Sequence, residues 1–156
     1  MRVGYGFDAH RLAKGRTLIL GGVQIESDLG ALGHSDADVL AHAVSDALLG
    51  AAALGDLGLR YPASDERWKD ADSMELLAQC AAEVLRAGYR IANIDATIVV
   101  ENPRLAPHVG RMRENLSQRL GLSLAQVSVK AKSSEGMGYT GDGTGIAASA
   151  VALLEE

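Results

Sequence analysis

HSDADVLAHAVSDALLGAAALGDLG, residues His34 to Gly58, is the stretch around which the rest of the chain is arranged. It reads as a helix of about four turns, entered from a polar cluster and left through Gly55-Asp56-Leu57-Gly58. Ser35 and Asp36 are suitable N-caps, and the acidic Asp36 and Asp38 suit the positive end of a helix dipole. Val39, Ala43, Ala47 and Leu48 recur at helical spacing and predict a core face. His42 lies off that stripe, with Asp38 one turn before it and Asp46 one turn after. A histidine so placed can be a metal ligand, a general base or a surface ion pair.

Outward toward the N-terminus, Val3 to His10 (VGYGFDAH) alternates with a period of two. In extended chain Asp8 and His10 point to one side and Ala9 to the other. A catalytic zinc site takes three protein donors and keeps one position open. Asp8 and His10 from a strand and His42 from a helix would complete such a set.

Thr17 to Ile25 reads as a second strand, and Gly30 and Gly33 lead into His34. Leu59 to Asp72 is polar, contains Pro62, and predicts a mobile loop. Ser73 is placed to cap a helix running to about Arg86 and closed by Gly88. Ile91 to Val100 is rich in β-formers and predicts a strand inside a sheet. Helix signals resume near Pro107 and stop at Gly121, with Met112, Leu116 and Leu120 on one stripe. Gln126 to Ala131 alternates again, and Ile146 to Leu154 predicts a last strand. Between them the glycine-rich EGMGYTGDGTG run has no P-loop spacing. The order β-β-α-α-β-α-β-β predicts one α/β domain with helices mainly on one sheet face. The other face then needs a cover, which oligomerisation supplies most simply.

Composition sets the bounds. A length of 156 residues suits one domain with its own core. A net charge of −5 and 4% aromatic residues argue against a nucleic-acid binder. The single Cys80 excludes an intrachain disulfide and sits in an apolar helical pattern. No apolar run approaches a membrane span and no basic leader precedes the first strand, so the expected location is cytoplasmic.

Four motifs together, GYGFDAH, GHSDADVLAHAVSDALLGAAALGDLG, NPRLAPH and VKAKSSEGMGYTG, resemble the 2-C-methyl-D-erythritol 2,4-cyclodiphosphate synthase family, in order from Met1 to about Leu154. The resemblance implies an α/β (α+β) fold over residues 1–156. This is a single domain with a mixed β-sheet and helices on one face, chorismate-mutase-like or ferredoxin-like, assembling as a homotrimer with active sites between subunits. It implies zinc at Asp8, His10 and His42, and magnesium or manganese at Glu135 and the substrate diphosphate. His34 and Ser133 match positions that stabilise the transition state. Cytidine would lie against Val100, Glu101, Asn102, Pro103, Arg104, Leu105 and Ala106, with Lys132 nearby. The methylerythritol part would meet the His34-Ser35 turn, Asp56, Gly58 and the segment Tyr61, Pro62, Ala63, Ser64, Asp65. Asp8, Ala9, His10, Asp46, Leu57, Ser133, Ser134, Glu135 and Tyr139 are further implied substrate-binding residues. The implied partner is a small cytidyl diphosphate substrate, with no nucleic acid and no membrane.

Some positions depart from the family's pattern. Tyr61-Pro62-Ala63-Ser64-Asp65 stands where F-P-D-T-D is common, so one carboxylate is absent. Gly141-Asp142-Gly143-Thr144-Gly145 stands where G-R-G-E-G is common. The resemblance implies that this position lies at the mouth of a trimer-axis cavity that in the family can hold an isoprenoid diphosphate. Two other readings share the same three donors: a zinc hydrolase giving a linear product, and a non-catalytic trimer with a structural metal site.

Overall fold

A computed structural model describes residues 1–156. Its first strand, β1 (Arg2–Ala13), pairs antiparallel with the last, β7 (Gly145–Glu155). On the far side β7 pairs antiparallel with β5 (Arg90–Val99), which runs parallel to β6 (Val127–Lys132). A two-residue strand, β4 (Gly30–Ala31), closes the edge beside β1, so the order is β4-β1-β7-β5-β6. The sheet is mixed, as the family resemblance implies.

Thr17 to Ile25 is not one strand. It forms a hairpin of β2 (Leu18–Leu20) and β3 (Val23–Ile25), with Leu20 opposite Val23. Gly21 and Gly22 both have positive φ, at 56° and 70°, which permits the two-residue turn. The pair that looked like strand interior is the turn.

The helix α1 (Val39–Ala51) packs on β1, β7 and β5. Its N-cap is Asp38, not Ser35 or Asp36. Asp38 is fully buried and accepts N–H bonds from Ala41 (3.0 Å), Gly21 (2.9 Å) and Gly22 (2.8 Å). One carboxylate therefore caps α1 and anchors the hairpin turn. Burial raises its pKa, and the three amides oppose that rise.

Close packing of α1 on β1 depends on small residues from both partners. Gly4 and Gly6 face Ala43, Ala47 and Ala51. A methyl carbon on Gly6 would lie 2.0 Å from the Ala43 carbonyl oxygen, and one on Gly4 2.0 Å from that of Ala47. No side chain fits either position. The helix is buried on nearly every side, since Leu40, Val44 and Leu49 are as inaccessible as the predicted stripe.

α3 (Ser73–Arg86) packs on α1, and α4 (Val109–Leu120) on β6 and α3, so the helical layer covers one face. α3 is capped by Asp72 through Met74 N–H rather than by Ser73. Leu59 to Asp72 is more structured than the expected loop. Asp56 caps α2 (Leu57–Arg60), Asp65 caps a 3₁₀ turn at Glu66–Trp68, and Asp70 N–H donates to the His34 carbonyl. A final short helix, α5 (Gly138–Gly141), lies within the glycine-rich run. Opposite the helices, Val3, Tyr5 and Phe7 remain 69, 65 and 51% exposed in a row along β1, beside Val151 on β7. No helix is long and apolar enough to cross a membrane.

Candidate metal centre

Asp8 and His10 sit on one side of β1, and α1 brings His42 down onto them. His42 Nδ1 lies 2.8 Å from Asp8 Oδ2, and His10 Nε2 lies 2.9 Å from the same oxygen. The two imidazoles approach edge to face, with Nε2 of His10 3.3 Å from Nδ1 of His42. The donor atoms of all three residues fall within 4.8 Å of one another.

The carboxylate that partners His42 is thus Asp8 from the strand, not Asp38 or Asp46 from its own helix. Asp38 is turned to backbone amides, and Asp46 Oδ1 accepts from Leu57 N–H at 2.7 Å. Helical spacing puts three residues on one side but does not decide which group each side chain meets.

Electrostatics favour a charged cluster. Burial resists ionisation of Asp8, but hydrogen bonds and charge from His10 and His42 hold its carboxyl well below the usual range. Burial also resists a charged His42, yet the Asp8 bond and charge, with Asp38 and Asp36 nearby, raise its pKa. Asp46 is raised, first by burial and then by Asp56 and Asp8, against the Leu57 amide.

The cluster opens into a cavity of about 340 Å³. Its wall includes His34, Ser35, Asp46, Leu57, Gly58, Tyr61 and Ala63, all predicted site residues. It also includes Trp68 and Leu76, which the sequence reading missed. Trp68 meets Tyr61 edge to face at 4.9 Å. His34 Nε2 lies 3.0 Å from the Asp65 carbonyl, tying that turn to the 59–72 segment. The Asp65 carboxylate pairs with exposed Arg67, so of this residue it is the carbonyl that meets His34. Asp56 is occupied as the cap of α2, and Pro62 and Ser64 lie in the segment between Tyr61 and Asp65 without a side-chain bond. Tyr61 Oη donates to Gln79 at 2.9 Å, and burial with the Cys80 and Glu83 charges pushes its hydroxyl up to about 12. Cys80 is buried, its thiol pushed up to about 11 first by burial, and it is not part of the donor cluster.

The remaining predicted residues form a second group. Ser133 Oγ donates to Glu101 Oε2 and accepts from Glu135 N–H, both at 2.9 Å. Glu135 is exposed at a positive φ of 55°. Ser134 bonds Thr140 at 2.7 Å, and Val100 N–H donates to the Lys132 carbonyl at 3.1 Å. Val100 and Leu105 are buried, while Asn102, Arg104 and Ala106 are exposed beside the half-buried Pro103. Tyr139 stands over Gly145 and, with Ala9 and His10, lines a cavity of about 200 Å³. No hydrogen bond or ion pair joins this group to the first within one chain. A larger polar cavity of about 730 Å³, near Asp36, Asp70, Asp72 and Arg119, holds no converging donor set.

The donors fit zinc. One carboxylate oxygen and two imidazole nitrogens converge, as catalytic rather than closed structural sites arrange them. Glu135 offers the hard oxygen that a hydrated magnesium or manganese ion accepts.

Comparison with known proteins bears on the same site. The YgbB family matches residues 1–155. The 2-C-methyl-D-erythritol 2,4-cyclodiphosphate synthase of Moorella thermoacetica is 58% identical over 154 residues, covering 99% of this chain and 94% of that protein. Its namesake from Syntrophomonas wolfei is 55% identical over 156 residues, covering 100% and 99%. Among solved structures, a 2C-methyl-D-erythritol-2,4-cyclodiphosphate synthase bound to CDP superposes with a TM-score of 0.91 at 38% identity, covering 99% of this chain and 100% of that one. The bifunctional IspDF of Campylobacter jejuni gives 0.95 at 40% identity, covering 98% of this chain but 42% of that longer one.

Proposed function

The chain belongs to the YgbB family, and from that membership we propose that it converts 4-diphosphocytidyl-2-C-methyl-D-erythritol 2-phosphate to 2-C-methyl-D-erythritol 2,4-cyclodiphosphate, releasing CMP. It is a lyase of isoprenoid biosynthesis, expected in the cytoplasm. The observation that carries this reading is the convergence of Asp8, His10 and His42 in one cavity.

The substrate's 2-phosphate attacks its own β-phosphorus, and the bond to CMP breaks. The nucleophile is already an anion, so no strong base is required. The task is to hold one anion against another, so positioning and charge stabilisation do most to lower the barrier. Zinc held by Asp8, His10 and His42, with magnesium or manganese held by Glu135 and the diphosphate, would supply Lewis-acid polarisation and offset negative charge. His34 and Ser133 stabilise the transition state, and Asp46, Asp56, Leu57, Gly58 and the Tyr61 to Asp65 segment seat the methylerythritol part. Residues Val100 to Ala106, with Lys132, Ser134 and Tyr139, seat the cytidine. Ala63 lacks the acceptors of the carboxylate that the family resemblance leads one to expect there, leaving backbone groups. Excluding water from the cavity strengthens each of these electrostatic interactions.

The functional assembly in this reading is a homotrimer. Two features support it: the exposed Val3, Tyr5, Phe7 and Val151 on the uncovered sheet face, and a site whose two groups share no hydrogen bond or ion pair within one chain. Three-fold packing of those faces would cover them, and active sites between subunits, as the family resemblance implies, would bring the two groups together.

The test is His42→Ala. Zinc content and CMP release should fall together, since two donors rarely retain the ion. Full zinc occupancy in the variant would overturn the assignment.

A further inference from the structure

The Nδ1 side of the His42 ring faces Asp8 and His10. Its other nitrogen, Nε2, lies 2.8 Å from Ser73 Oγ and 3.2 Å from Ser35 Oγ. Which nitrogen carries the hydrogen decides whether Nδ1 offers a lone pair to a metal ion. A serine hydroxyl can donate or accept, so Ser73 alone does not decide it.

Asp36 does. Ser73 donates its hydroxyl hydrogen to Asp36 Oδ1, and Ser73 N–H donates to Oδ2 at 3.2 Å. A carboxylate has acceptors only. The single hydroxyl hydrogen of Ser73 is therefore committed to Asp36, and its lone pair faces His42. Nε2 must then carry a hydrogen, so the proton that a metal ion displaces is the one Nδ1 donates to Asp8, and the lone pair it exposes lies on the side of Asp8 and His10. Ser73 is fully buried, so water does not compete for these groups. Its hydroxyl is available because Asp72, one residue earlier, caps α3. Asp36 is fixed in turn by its own N–H to the Ala71 carbonyl at 3.1 Å, at the end of the 59–72 segment.

We propose that Ser73, held by Asp36, is a positioning residue that fixes His42 as an Nδ1 metal ligand. The inference rests on the metal reading above and assigns a role to two residues outside the three donors. Partners of this kind set the orientation and basicity of a ligating imidazole, and their loss typically weakens metal binding by about 10- to 100-fold.

Two measurements test it. Imidazole ¹H–¹⁵N NMR of the unmodified protein, loaded with one zinc per chain, should show His42 protonated at Nε2 and metal-bound at Nδ1. Zinc titrations against a chromophoric chelator should show Ser73→Ala binding about 10- to 100-fold more weakly, with an unchanged far-ultraviolet circular dichroism spectrum. Asp36→Asn should weaken binding too, because an amide can donate to Ser73 and turn its hydroxyl hydrogen toward Nε2. Zinc bound with His42 in the opposite tautomer, or with undiminished affinity in a folded Ser73→Ala, would overturn the relay and leave the metal reading standing. No zinc uptake by the unmodified protein would remove both. If Ser73→Ala does not fold, the tautomer in the unmodified protein decides.

Discussion

Gly6→Ala probes how the fold builds the metal centre. The added methyl would lie 2.0 Å from the Ala43 carbonyl oxygen and 2.6 Å from Ala47 N. Carbon contacts below 3.0 Å are essentially never seen, and both obstacles are backbone rather than flexible side chain. α1 must therefore withdraw from β1 by about 1 Å at the turn that carries His42. Overpacking of this kind costs about 1–3 kcal/mol. For a domain of this size that corresponds to a melting temperature lower by about 2–12 °C. The same withdrawal pulls His42 away from Asp8 and His10, and a misplacement near 1 Å costs on the order of 100-fold in rate. Gly50→Ala is the control. Gly50 is also on α1, but its nearest neighbour to an added methyl is 4.0 Å away, so alanine there should stabilise by about 0.5–1 kcal/mol. Thermal unfolding of both variants and their rates of CMP release give the comparison. A Gly6→Ala protein with unaltered melting temperature and rate would refute the link between helix packing and site geometry.

Glu135→Gln should leave zinc bound but slow turnover, with partial recovery at high magnesium; simultaneous loss of zinc would mean that Glu135 serves the first metal instead. Asp38→Ala removes a helix cap (about 0.5–2 kcal/mol) and orphans the buried Gly21 amide (about 1–3 kcal/mol), so chemical denaturation should show a loss beyond an ordinary cap deletion. Zinc must displace a proton from His42, whose pKa Asp8 raises against the effect of burial, so affinity should climb with pH through that raised value and then level; pH-independent titrations would contradict the pairing. In the metal-free protein the His42 contribution to stability is present below about pH 6.5 and fades as pH rises through the raised value, while that of Asp8 is present above about pH 3.9 and is lost in acid. Farnesyl diphosphate should bind the assembly weakly, because Asp142, engaged by Thr144 N–H and Oγ, places like charge at the expected trimer axis; tight binding by calorimetry would refute this, and Asp142→Arg should strengthen it.

Much of this architecture was legible because its signals are local. The period-two stretch at Val3 to His10 and the helical period after Asp38 give β1 and α1, and with them the three donors. The four motifs add the family and the wider set of candidate residues. What escaped depends on contacts far apart in sequence. Asp38 caps α1, where Ser35 and Asp36 looked equally able, because the β2–β3 turn supplies two amides to the same carboxylate. Ser73 looked like a cap for α3, but Asp72 takes that role and leaves its hydroxyl to His42. Trp68 sat in a polar run with no periodicity to mark it as a cavity wall. The hairpin at Gly21-Gly22 was hidden because two glycines inside an apolar run are equally compatible with a bulged strand.

The most direct measurement is phosphorus NMR of the zinc-loaded protein, with magnesium present, acting on 4-diphosphocytidyl-2-C-methyl-D-erythritol 2-phosphate. Intramolecular attack predicts CMP and a cyclic diphosphate whose two phosphorus nuclei couple to each other, with no oxygen taken from solvent. CMP accompanied by a linear phosphate product carrying solvent ¹⁸O would contradict it and make the chain a hydrolase.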